Sequence, residues 1–182
     1  IIIFWIILPS ISLVLFLIVA SYHFGKEDTS FLINKESFYD PLLFFLKGSL
    51  IVLAPMYFHF DETINIFKFL LIENEAFYNF LNFVETNKVL LFGIILSTLS
   101  NIFLFMKNFE LKKFTIFLDY FSILIINYYF SPLIAFTFYF CFLHSIRHSI
   151  TLIFELNRED LSVGINIFLK KALPLTILTA IF

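Results

Sequence analysis

His144 and His148 stand four residues apart within an apolar run from Ser131 to Phe154, SPLIAFTFYFCFLHSIRHSITLIF. On an α-helix this spacing puts both imidazoles on one face, one turn apart, where they suit two ligands of a single metal ion. Ionisable side chains at membrane depth are costly and rare, and by default they mark functional sites. The only other histidines are His23 and His59, each in or beside an apolar stretch. All four imidazoles are therefore candidate ligands of one intramembrane centre. A shell of neutral imidazoles suits Fe(II), Zn(II) or Cu. Zinc metalloproteases share the spacing, but Ser145 stands where their catalytic Glu belongs, which argues against peptide hydrolysis. Di-iron hydroxylases need more histidines than four, and a pair of b-type haems would need them much further apart along each helix. In a dry apolar site, open coordination positions beside iron suit oxygen chemistry better than hydrolysis. Arg147 points about 100° away from His144 and is assigned no chemistry.

The elements that must position these side chains are read from hydropathy. The chain has 182 residues, is 60% hydrophobic and 14% charged, and has a mean hydropathy of +0.95. Soluble domains carry about 25% charged residues. The expected fold is an all-α, polytopic transmembrane bundle of about six spans. It is a single integral-membrane domain over residues 1–182, and its apolar ends read as a truncation at both termini. A net charge of -2 argues against nucleic acid as a partner. The single Cys141 excludes an internal disulfide. Spans are expected over Pro9 to about Phe24, Lys88 to Met106, Phe114 to Phe130 and Pro132 to about Leu156, with a further one starting near Lys170.

The segment from Pro41 to Ile72 admits two registers. It spans either from Pro41 to His59, or from about Lys47 to Ile72 with a kink at Pro55. Basic loops at Lys107–Lys113 and Asn157–Lys171 place that face in the cytoplasm, with Lys26–Lys47 on the same side and Glu73–Glu85 outside. From Pro132, His144 is then roughly 18 Å and His148 roughly 24 Å deep. A start at Lys47 puts His59 near mid-membrane, level with the others, and is preferred. It also buries Asp61 and Glu62, which become the expected hydrogen-bond acceptors behind the ligand rings, with Ser and Tyr hydroxyls as the alternative. Phe138, Tyr139 and Phe142 are candidates for lining an apolar channel.

Three segments carry a resemblance: HFGKED from His23, KGSLIVLAP from Lys47 with Phe58-His59 after it, and SPLIAFTFYFCFLHSIRH from Ser131. Together, from about Ser12 to Leu156, they resemble the Brp/Blh family of membrane β-carotene 15,15'-dioxygenases, which supply retinal to microbial rhodopsins. Lys47-Gly48 replaces an expected Arg-Gly, and Phe60 an expected Pro; neither change touches a ligand. The resemblance implies a non-haem Fe(II) held by His23, His59, His144 and His148 in a multi-pass protein of the cell membrane. It also implies cleavage of β-carotene by O2 to two retinals, and a functional link to a retinal-binding rhodopsin. The competing reading is a non-catalytic membrane protein, a transporter or rhodopsin-associated subunit, whose histidines relay protons or bind a structural metal.

Overall fold

The computed structural model describes residues 2–30, 37–70, 74–107 and 114–181, and every regular element among them is helical. In chain order these are α1 (Ile2–Ile7), α2 (Pro9–Ser30), α3 (Asp40–Gly48), α4 (Leu50–Phe58), α5 (Phe60–Phe69), α6 (Glu75–Thr86), α7 (Val89–Met106), α8 (Phe114–Tyr129) and α9 (Pro132–Phe138). A π-helical segment, Tyr139–Ser145, leads into α10 (Ile146–Leu156), and α11 follows (Leu161–Ile181). Among the described residues, five stretches are long and apolar enough to cross a membrane: Pro9–Thr29, Asp40–Phe58, Val89–Met106, Pro132–Leu156 and Leu161–Ile181. The apolar α8 is shorter, at 16 residues. The expected all-α bundle is the observed architecture.

The chain divides into two compact units, Ile1–Tyr139 and Phe140–Phe182. In the first, Leu13, Met56, Phe67, Leu81 and Leu90 form one buried cluster, and Phe44, Leu104 and Ile116 another. Large apolar side chains also remain outward, among them Phe16, Phe92, Leu99 and Phe121. An exterior this apolar suits lipid as the surrounding solvent. Helices α2 and α3 approach closely at Gly25 and Gly48. A Cβ on Gly25 would collide with the Phe44 carbonyl, and one on Gly48 with that of Ser21. Only glycine lets the two backbones meet this closely. Ser100 Oγ of α7 donates to the Leu43 carbonyl at 2.8 Å, and Thr98 Oγ1 and the Tyr120 hydroxyl lie 2.6 Å apart between α7 and α8. In the second unit, Asp160 Oδ1 accepts from Ser162 N and Val163 N and so caps the start of α11.

Several boundaries differ from those expected. The second span covers Asp40–Phe58, the register that begins near Pro41, and not Lys47–Ile72. Helix α2 does not end near Phe24 but continues through Lys26, Glu27 and Asp28 to Ser30, because Asp28 finds a buried hydroxyl partner in Tyr139. The final span begins at Leu161, so Lys170 and Lys171 lie within a helix instead of a basic loop. Most of the acidic stretch Glu73–Glu85 is helix α6, capped by the Asn74 side chain accepting from Phe77 N at 3.0 Å. Of the basic loop after Lys107, residues 108–113 lie outside the described residues.

Candidate metal centre

His59 occupies the one-residue joint between α4 and α5, with φ -138 and ψ 56. Pro55, four residues earlier, has no N–H to continue the helical ladder behind it. Its carbonyl accepts the regular helical bond from His59 N at 2.9 Å and a second one from Thr63 Oγ1 at 3.1 Å. Thr63 Oγ1 also donates to the His59 carbonyl at 2.9 Å, so both backbone groups around the joint are satisfied. The ring is held as firmly. His59 Nε2 lies 2.8 Å from the Asn127 backbone carbonyl on α8, and a carbonyl can only accept. Nε2 therefore carries the proton, and Nδ1 presents a lone pair. Such an outer hydrogen bond is what orients an imidazole ligand and fixes its tautomer.

Glu62 Oε1 is 3.7 Å from His59 Nδ1, close but beyond hydrogen-bonding distance. Asp61 and Glu62 are both exposed in the first turn of α5, where acidic residues favour the helix dipole. The expected burial of both acids within the bundle is therefore corrected. It depended on a span starting at Lys47.

His23 lies on α2, exposed, two residues before the Gly25–Gly48 crossing, with its ring 5.5 Å from that of Phe24. His59 lies eleven residues beyond Gly48 on the antiparallel partner. Helical rise puts their backbones on levels roughly 13 Å apart. The two are thus not side by side, and to share an ion their side chains would have to reach along the helices toward each other.

In the second unit His144 and His148 are neighbours, as their spacing predicts. Their rings are parallel within 2°, with centroids 6.1 Å apart. His144 is buried and also stacks on Phe140 at 5.9 Å, whereas His148 is exposed. His144 sits in the π-helical segment and His148 in α10. Such i→i+5 segments are rare and recur at functional sites. No signal in the sequence reveals it. Within either unit, no three His, Cys, Asp or Glu side chains among the described residues gather closely enough to hold a metal ion.

Of the aromatics expected to line a channel, Phe138 and Phe142 are exposed, but Tyr139 is buried. Its hydroxyl donates to Asp28 Oδ2 at 2.7 Å, and its ring meets that of Phe24 edge-on at 5.5 Å. A separate apolar cavity of about 190 Å³ opens between α2, α4, α5 and α9, lined by Phe16, Ala20, Phe24, Val52, Pro55 and Phe136 among others. Hydropathy does not mark these positions as cavity lining, because an apolar residue facing a cavity has the same composition as one facing lipid.

Compared with known families, the chain matches beta-carotene 15,15'-dioxygenase over residues 1–182. A match over the whole sequence places the chain in that family. No curated protein and no solved structure matches it.

Proposed function

Because the chain belongs to the beta-carotene 15,15'-dioxygenase family, we propose that it cleaves the central double bond of β-carotene with O2 and releases two retinals. The observation that carries this reading is the family match across residues 1–182. His23, His59, His144 and His148 are the proposed ligands of a non-haem Fe(II). The donor chemistry fits: all four are imidazoles, His59 has its Nε2 proton committed to Asn127 and its Nδ1 lone pair available, and His144 and His148 stand together. When bound, Fe(II) supplies the one-electron chemistry that O2 requires.

The remaining work falls to the protein. A C40 polyene is a rigid apolar rod of about bilayer thickness, so a site among membrane helices receives it without passage through water. The cavity of about 190 Å³ beside α2 and α4 is smaller than the roughly 300–1,000 Å³ of whole-ligand pockets. It suits one section of the rod, gripped by aromatic rings such as Phe16, Phe24 and Phe136 through dispersion and ring-face contacts. The apolar lining also excludes water from the reacting region. The Asn127 carbonyl is the proposed outer partner of His59, and Glu62, 3.7 Å from Nδ1, is proposed to add a negative charge beside the metal position. We read the protein as multi-pass in the cell membrane, taking substrate from the lipid phase and giving retinal to a retinal-binding rhodopsin.

Expression in β-carotene-producing bacteria, followed by chromatography of the extracted pigments, tests the reading. Carotene should fall and retinal should rise, and a chelator should stop both in isolated membranes. Unchanged pigment despite verified membrane insertion would refute catalysis and favour a proton-relay or structural role for the histidines.

A further inference from the structure

A second polar site lies within the first unit, apart from the histidines. Asp28 of α2, Lys47 of α3, Asn101 of α7, and Asp119 and Tyr120 of α8 line one cavity of about 10 Å³. All are deeply buried: Asp28 is 4% exposed, Lys47 6%, Asp119 5%, Tyr120 8% and Asn101 1%. Asn101 Nδ2 donates to the Ser97 carbonyl at 2.8 Å, which fixes the orientation of the amide, since a flipped one would set oxygen against oxygen. Its Oδ1 is thereby the end left to face other groups, and it has no hydrogen-bond donor among the described residues. Buried amide oxygens are almost always satisfied by protein or by ordered water.

We propose that this cavity holds one ordered water molecule that donates to Asn101 Oδ1 and joins it to the charged groups of α2, α3 and α8. Size and charge both select water. One water needs about 10–15 Å³ and between two and four polar partners, and a hydrated ion does not fit. A bare cation would satisfy the oxygens but would meet the Lys47 ammonium in a dry site. Water alone can donate to an amide oxygen and a carboxylate while accepting from an ammonium. The consequence is positional. Asp28 also accepts from Tyr139, the first residue of the π-helical segment, so the hydrated centre anchors the point where the His144 segment begins.

X-ray radiolytic footprinting of the full chain in nanodiscs tests this, because a buried side chain is oxidised rapidly only when water touches it. Leu50, which lines the cavity, and Leu104, which does not, are both 1% exposed. Leu50 and Tyr120 should be modified several-fold faster than Leu104 and Ile116. Asn101→Leu should bring Leu50 down to the Leu104 rate, while Asn101→Asp, which keeps an acceptor, should not. Equal rates for Leu50 and Leu104 in the unmodified chain would overturn the proposal even if no variant folds. Leu50 modification that is lost in sodium buffer and regained in choline buffer would assign the space to a cation and overturn it equally.

Discussion

Replacing Gly25 by Ala tests whether the α2–α3 crossing sets the position of His23. The added methyl would lie 2.7 Å from the Phe44 carbonyl carbon and 2.9 Å from Gly48 N, and closer still to the Phe44 oxygen. All three obstacles are backbone atoms, so no side chain can swing aside. The helices must part by about 1 Å or more, and forced overpacking of this kind costs about 1–3 kcal/mol. The better helix propensity of alanine returns about 1 kcal/mol, so the net loss should be up to about 2 kcal/mol. Catalysis should suffer more, since a 1 Å displacement of a working group can cost about 100-fold in rate, and His23 is two residues away. Gly93→Ala is the matched control. Its Cβ would meet a single obstacle below 3 Å, the Leu53 Cδ1 at 2.8 Å, the end of a flexible side chain. That variant should be neutral or slightly stabilised. Unfolding in mild detergent, titrated with a denaturing one, measures the stabilities, and retinal formation in carotene-producing cells measures function. If Gly25→Ala matched Gly93→Ala in both assays, the crossing would not be what positions His23.

Further substitutions separate ligands from supports. His144→Ala or His148→Ala should abolish retinal formation while insertion, set by summed apolarity, is retained; normal carotene bleaching by either variant would remove that residue from the ligand set. Glu62→Gln should lower iron occupancy or turnover by up to about 10-fold, short of complete loss, because it removes an exposed negative charge 3.7 Å from the proposed ligand atom, His59 Nδ1. Asp61→Asn should leave both within error, and iron analysis with a turnover assay on the pair distinguishes them. Lys107→Ala should destabilise the protein by about 2–4 kcal/mol, somewhat under the usual 3–5 for breaking a buried pair because Lys107 is partly exposed. Asp40, itself fully buried, would keep Ser37 N at 2.6 Å but lose both Lys107 contacts, at 2.7 and 2.8 Å. A loss below about 1 kcal/mol would mean that water replaces the ammonium at Asp40.

The sequence made some features legible because they are local. Long apolar runs need only composition to be read as helices, and the His144–His148 pair needs only the helical period. Features set by partners distant in the chain were not legible. The charges Lys26, Glu27 and Asp28 look like the end of a helix, yet α2 carries them onward because Asp28 meets the Tyr139 hydroxyl 111 residues away. Apolar residues continue through Ile64, Ile66 and Phe67, so hydropathy alone lets the second span run past His59. What ends it there is a joint built from three separated groups: a proline carbonyl, the Thr63 hydroxyl, and the Asn127 carbonyl 68 residues further on.

That joint also decides how His59 can act. Inside a continuous helix its ring would have been free to choose either nitrogen, and Asp61 and Glu62 would have been buried charges requiring a cation nearby. Instead the break turns both acids outward onto the first turn of α5, and the Asn127 carbonyl accepts a hydrogen bond from Nε2–H. Nδ1 is left as the donor atom, with the Glu62 carboxylate 3.7 Å from it. The end of the second span and the orientation of the proposed ligand thus meet in one joint, where the ring is held by a main-chain acceptor on α8 that no residue type announces, since every residue carries a carbonyl.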